Sequence, residues 1–199
     1  MNGHQKQKEQ SARMIEDALF DLMHEKEFEK ITVSEIVKRA DVARRTFYRL
    51  YGAKEDVLHG YFAKLCGNYK CMYPALKTYD VRQVAEDFFG FWYMHRELLL
   101  LLHKCGLEEM LYGRIRRVSA EVVRNRMEDG ALKSDEELKY FACYSTGGFL
   151  MLLDCWIRDG MKEKPEEYAG QVSRALSRFI RERDDPADKK GDGCIDREK

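Results

Sequence analysis

The sequence predicts an all-α chain of about nine helices, on three observations. Proline is rare, with Pro74, Pro165 and Pro186 the only three in 199 residues. Apolar residues recur at helical rather than alternating spacing, as at Ile15, Ala18, Leu19 and Leu22, which is the i, i+3, i+4, i+7 stripe of an amphipathic helix. Charged residues reach 35% beside 44% hydrophobic residues, the balance of long helices with one solvated face and enough apolar surface for a core.

Each element follows from a local signal. Residues 1–10 are polar throughout and read as a flexible arm. The first helix is expected from Ser11 to near Glu25, and Phe28 and Ile31 anchor the connection after it. Thr32 with Glu35 three residues on carries a capping-box signature. Val33, Ile36, Val37 and Ala40 then repeat the apolar stripe until Asp41 interrupts it. A third helix is expected over residues 43–51, ended by Gly52. A fourth, from Ala53 or Lys54, carries Leu58, Tyr61, Phe62, Leu65 and Tyr69 on one face. Beyond a loop at Pro74, a helix from Asp80 holds Phe88, Phe89, Phe91, Trp92 and Tyr93, and a short one covers residues 95–104 before Gly106. The next two are expected over residues 107–129, stopped by Gly130, and 134–159, stopped by Gly160. Pro165 suits the first turn of the last helix, where its missing N–H costs nothing. Val172, Ala175, Leu176, Phe179 and Ile180 form that helix's buried face, and the Asp, Lys, Gly and Pro after Arg183 read as disordered. The expected organisation is a flexible arm (1–10), a compact three-helix unit (11–53), a larger helical body (54–183) and a disordered tail (184–199).

Charge and motifs narrow the function. The net charge is zero, yet residues 37–54 carry Lys38, Arg39, Arg44, Arg45, Arg49 and Lys54 against Asp41 alone. Such a local cationic patch is what phosphate neutralisation requires. The six cysteines form no CxxC pair and no Cys/His finger spacing, so they read as free thiols in a reducing cytoplasm with no metal site. No signal peptide is read at the N-terminus, and the longest apolar run, residues 98–102, is far too short to span a bilayer. No Gly-rich phosphate loop, HExxH or paired acid motif occurs, so no catalytic residue, no cofactor and no enzymatic activity are expected.

Two short helices joined by about four residues can set the second into a DNA major groove. In the segment 43–51 the pattern divides into two faces. Val42, Phe47 and Tyr51 are expected inside, and Arg44, Arg45, Thr46, Tyr48 and Arg49 outside. A guanidinium can donate two hydrogen bonds to guanine O6 and N7, and Arg45 and Arg49 share one face. Tyr48 offers a hydroxyl on a stiff ring to a phosphate oxygen, and Thr46 a hydroxyl with a methyl group. Lys54, with the backbone N–H groups at its helix start, is expected to hold a phosphate.

On the stretch ITVSEIVKRADVARRTFYRLYGAKEDVL, with TFY and KEDVL the most specific parts, residues 11–65 resemble the N-terminal domain of the tetracycline-repressor (TetR) family. The resemblance implies double-stranded DNA as a partner, a homodimer, a body over 54–183 that dimerises and holds a small apolar or aromatic effector, and a ligand-responsive repressor. It implies phosphate contacts at Thr32 and Tyr48, a further contact at Lys54, and base-edge or nearby backbone contacts at Ser34, Arg44, Arg45, Thr46 and Arg49. Three positions depart from the family pattern. Asp41 stands for a turn glycine, a place aspartate tolerates better than most residues. Ala43 stands for a capping serine, so the reader helix lacks that cap. Leu50 replaces a frequent histidine or tyrosine.

The segment WIRDGMKEKPEEYA (156–169) resembles a subgroup that includes regulators of dihydroxyacetone kinase operons, whose last two helices pair with their twins. The consecutive small residues Ser145, Thr146, Gly147 and Gly148 support close helix approach independently, because glycine inside a helix needs a compensating gain. The expected dimer contacts are Tyr144, Gly147, Gly148, Met151, Trp156, Val172, Leu176 and Phe179. The expected effector pocket is Phe62, Tyr69, Phe88, Phe91, Trp92, His95, His103 and Tyr112, with core filling as the alternative for the aromatic run. The Tyr61–Phe62–Leu65–Tyr69 stripe joins reader to body and is the expected lever. A transcriptional activator, or an architectural or interaction protein of the same fold without an effector, are the alternative functions.

Overall fold

The computed structural model describes residues 3–72, 80–126 and 134–181. Among these residues there are nine α-helices, one 3-10 turn and no strand: α1 (Gly3–Glu25), the turn Phe28–Lys30, α2 (Val33–Arg39), α3 (Arg44–Leu50), α4 (Lys54–Met72), α5 (Val81–Met94), α6 (Arg96–Cys105), α7 (Glu108–Arg126), α8 (Asp135–Arg158) and α9 (Pro165–Arg181). The all-α expectation is met. The loop at Pro74, the stop at Gly130 and the tail from 184 lie outside the described residues.

The expected arm is the main departure at the N-terminus. α1 begins at Gly3 rather than Ser11, and Gln5 donates to Glu9 one turn on at 2.9 Å. The stretch HQKQKEQSAR holds strong helix formers and no breaker, so its polarity marks a solvated helix rather than coil.

The short elements are set by their ends. Thr32 Oγ1 accepts from the Glu35 amide at 3.3 Å while the Glu35 carboxylate accepts from the Thr32 amide at 3.0 Å, so the predicted capping box is complete. Asp41 takes the left-handed conformation, at φ 50°, and the next amide, Val42 N–H, donates back to Val37 O at 3.1 Å. That 6→1 bond closes α2 and turns the chain into α3. Ala43 supplies no side-chain cap, as expected. Gly106 ends α6 at φ 66°. The turn after α8 passes through Gly160 and Met161, at φ 80° and 50°, and the Arg96 guanidinium of α6 donates to Gly160 O at 2.7 Å.

Around α1 pack α2, α3 and α4, burying Ile15, Leu19, Ile36, Phe47, Leu58 and Phe62 almost completely. In the body α5 lies along α9, and α7 lies against α4 and α8. One apolar cluster runs through both regions. Phe89 sits among Phe149, Trp156 and Tyr168, and Trp156 stacks flat on Tyr168 at 4.8 Å and on Tyr93 at 5.6 Å.

Two expected dimer contacts therefore turn inward. Trp156 is fully buried and Val172 nearly so within this chain, because they fall on the faces of α8 and α9 that meet α5 and each other. Ala175, expected inside, is exposed, and Ser173 is buried in the face that Ala175 was expected to share.

Candidate nucleic-acid interface

α3 keeps its two faces as the pattern required. Phe47 is fully buried, Val42 and Tyr51 are half-buried, and Arg44, Arg45, Tyr48 and Arg49 are exposed, with Thr46 between. Arg44 donates to Tyr48 OH at 3.3 Å and to Ser34 Oγ at 3.5 Å, and its guanidinium lies 5.6 Å from the Tyr48 ring centre. These contacts pre-position Ser34, Arg44 and Tyr48 as one patch across α2 and α3. Arg45 and Arg49 make no hydrogen bond or ion pair among the described residues, so their donors face outward uncommitted.

The inner end of α3 is anchored by a buried carboxylate. Glu16 of α1, only 4% exposed, accepts from Tyr51 OH at 3.1 Å and from Lys64 Nζ of α4 at 2.5 Å. Burial, and then the charge of Glu16, push the Tyr51 hydroxyl well above the usual phenol range, which keeps it a donor. One carboxylate thus ties α1, α3 and α4 together.

Lys54 has a different job from the expected one. Its ammonium donates to Phe28 O at 2.6 Å, Ile31 O at 2.9 Å and Glu29 O at 3.0 Å, and lies 4.6 Å from the Phe28 ring centre. A lysine has three N–H donors, and all three are spent on the turn before α2. The Gly52 and Ala53 amides, just before α4, are taken by Asp56 Oδ2 at 3.0 Å each. Arg39 is likewise committed, its guanidinium gripping both oxygens of Glu25 at 2.8 and 2.9 Å; that bond lowers the Glu25 carboxyl and raises Arg39. Thr32 donates its hydroxyl to Glu35 at 2.8 Å as part of the cap. The cationic patch read from the sequence therefore narrows to Lys38, Arg44, Arg45 and Arg49. The carbonyls that hold Lys54 lie more than twenty positions upstream, beyond the reach of a local pattern.

In the body, α4, α5, α7 and α8 border an apolar cavity of about 100 Å³ that is open on one side. Among the described residues it is lined by Cys66 and Tyr69 from α4, Val84, Phe88 and Trp92 from α5, Ile115, Val118, Ser119, Val122 and Val123 from α7, and Phe141, Ser145, Thr146 and Phe149 from α8. Of the eight expected pocket residues, Tyr69, Phe88 and Trp92 are there. The other five do not line it. Phe62 and Phe91 are core residues with no exposure. His95 closes α5 beside Phe91, ring centres 5.0 Å apart, and burial lowers its pKa. His103 is exposed and pairs with Glu108 at 2.5 Å. Tyr112 donates to Asp154 at 3.4 Å. Five aromatics in six positions wind around α5, so Phe88 and Trp92 face the cavity, Phe89 and Tyr93 reach Trp156, and Phe91 meets Tyr69. The missed residues had a signal: on α7, Ile115, Val118, Val122 and Val123 make a helical stripe among Arg116, Arg117 and Arg124.

Residues 15–61, from α1 into α4, match the family model described as "Bacterial regulatory proteins, tetR family", and residues 80–178 match "Transcriptional regulator C-terminal region". The chain belongs to the tetR family. Two solved structures share its fold: the "Dihydroxyacetone kinase operon activator DhaS", 17% identical with TM-score 0.58 over 86% of this chain and 96% of that one, and the "fatty acid degradation regulator FadR from Bacillus halodurans", 18% identical with TM-score 0.57 over 83% of this chain and 94% of that one. The comparison with curated proteins finds no match. As a tetR-family member the chain is a DNA-binding transcriptional regulator, and this family's members are regulators rather than enzymes. Among the described residues no helix is long and apolar enough to cross a membrane.

Proposed function

We propose that this tetR-family regulator represses transcription as a homodimer and releases DNA when a small apolar molecule fills the cavity between α4, α5, α7 and α8. The observation that carries the DNA reading is the pair Arg45 and Arg49, exposed and without a partner among the described residues on the face of α3 opposite Phe47. With α3 in a major groove, each guanidinium can pair with a guanine edge. Ser34, Arg44, Thr46 and Tyr48 stand beside them for base edges and phosphates, with Thr32 at the start of α2. Lys54 supports the reader from behind by holding α4 to the turn before α2.

The homodimer reading rests on α8. Tyr140, Tyr144 and Met151 are 61%, 76% and 63% exposed, and a side chain built on Gly147 or Gly148 would meet nothing within 4 Å. A second helix can approach that face to backbone distance. Leu176, half-buried on α9, extends it; the side chain of Phe179 lies outside the described residues.

Release requires a ligand that binds the two states unequally. α4 is the lever: it carries Cys66 and Tyr69 into the cavity wall and Lys54 and Lys64 into the reader. A shift of α4 changes the separation of the paired α3 helices, which must stand about 34–36 Å apart to enter successive grooves.

The test is binding to DNA flanking the chain's own gene. Arg45→Ala and Arg49→Ala should each weaken specific binding about 10- to 100-fold with an unchanged circular dichroism spectrum, and unchanged specific binding sinks the reading. Met151→Arg should give monomers by light scattering. A second reading, activation, is favoured by the likeness to DhaS, an operon activator; a reporter with and without the regulator gives the sign.

A further inference from the structure

We infer that the first turns of α1 form a second DNA contact, in which Lys8 and Arg13 hold phosphates of the backbone beside the C-terminal end of α3. This rests on α3 being the DNA reader and adds a sequence-independent clamp to it.

α1 starts at Gly3, so the residues before Ser11 are held in helical register. Gln5, Lys8, Ala12 and Arg13 fall at i, i+3, i+7 and i+8 and share one face of the helix. Glu16 continues that face into the core, where it ties α3 and α4 to α1. The face borders an open groove at the end of the reader helix. Lys8, Glu9 and Arg13 line one side of it, and Leu50, Tyr51 and Lys64 line the other.

The far side of this groove has little to offer an anion. Lys64 and the Tyr51 hydroxyl are held by Glu16, and Leu50 has no polar side-chain atom. Lys8 and Arg13 differ: both are exposed and make no hydrogen bond or ion pair among the described residues. Glu9 is the one carboxylate among the described lining residues, and it accepts from Gln5 at 2.9 Å. Two uncommitted cations against one carboxylate leave that rim positive, as anion binding requires. The place of the groove says which anion. α3 has 7 residues, so it is about 10 Å long, close to the roughly 12 Å width of a major groove. With α3 in that groove, its ends come near the two phosphate strands that bound it. In three-helix readers the segment N-terminal to the first helix can also reach the DNA beside the recognition helix. Here that segment is helical, and its cations arrive in fixed positions. Contacts of this kind set orientation and affinity without reading bases.

The test is a salt series on the full-length protein, with the DNA flanking its own gene and a random-sequence duplex of equal length. Lys8→Gln combined with Arg13→Gln should lower the slope of log affinity against log salt by about two per bound subunit on both duplexes. The affinity ratio between the duplexes and the circular dichroism spectrum should stay as in wild type. Lys8→Arg combined with Arg13→Lys should keep the wild-type slope, since either cation serves a phosphate. Arg117→Gln combined with Lys162→Gln removes the same charge from exposed positions of the body and should also keep it. If the first pair lowers the helix content, Lys8→Gln alone is read for a drop of about one. An unchanged slope overturns the inference. So does an equal drop in the body pair, which would assign the effect to net charge. A fallen ratio at unchanged slope would mean that the two residues shape α3 instead, and overturns it as well. If Arg45→Ala and Arg49→Ala leave specific binding intact while the Lys8 and Arg13 effect persists, the α3 reading fails and the backbone contact stands. If the wild type binds neither duplex, both fall.

Discussion

The reader and the cavity region are held together in opposite ways. α2 and α3 are 7 residues each, too short to persist alone in water. They are fixed by polar staples: Lys54 on three carbonyls, Glu16 between Tyr51 and Lys64, Arg39 on Glu25, and Glu35 on Lys26 and Thr32. In the body the helices are long and interlocking rings hold them, and the indole N–H groups of Trp92 and Trp156 have no partner among the described residues. In the reader, unlike residue types do the fixing and the uncommitted guanidiniums stand out. In the body, apolar packing leaves a cavity, and the uncommitted groups are buried.

Matched deletions from the two cores are the strongest way to break this division. Phe47→Ala and Phe89→Ala remove equal side chains from sites with no exposure, and each should cost about 3–5 kcal/mol in urea unfolding. Phe47→Ala should also abolish DNA binding by the molecules that remain folded, because Phe47 is the one fully buried side chain of α3. Phe89→Ala should leave that binding intact. The opposite pattern would show that the regions are not separable.

Lys54→Met tests the largest staple. Three carbonyls lose their donor, which should cost about 1–3 kcal/mol. The salt dependence of DNA binding should not change at a temperature where the variant is folded. A lysine that clamped a phosphate would instead leave stability alone and reduce the salt slope by about one.

The same difference explains which features are legible in the sequence. The capping box at Thr32 and Glu35, the left-handed turn at Asp41, the missing cap at Ala43 and the inward Phe47 all depend on neighbours within a few positions, and each was legible. Lys54 and Arg39 read as free cations in the sequence because their partners, the carbonyls of Phe28, Glu29 and Ile31 and the carboxylate of Glu25, lie far back in the chain. The cavity is wholly non-local. Phe62, Phe91, His95, His103 and Tyr112 have the residue types of a pocket, but four helices meeting in space decide which side chains border it. The same packing turned Trp156 inward.

The smallest expected effect concerns the charge of the capping box. Bonding first to Lys26 and then to the amide and hydroxyl of Thr32 holds the Glu35 carboxyl at about 2, below the roughly 4.3 of a free glutamate. A pKa lowered by folding means that the folded state binds the proton more weakly than the unfolded chain. The contribution is therefore complete above the unfolded value and is lost as pH falls from there towards 2. Glu35→Gln should flatten the decline of the urea midpoint between about pH 5 and pH 3, while the Glu25–Arg39 pair contributes equally in both proteins. Because the group is exposed, the difference should be small and should shrink further in high salt. Parallel curves for wild type and variant would mean that the box holds α2 by hydrogen-bond geometry alone, and that the polar staples of the reader act through shape rather than charge.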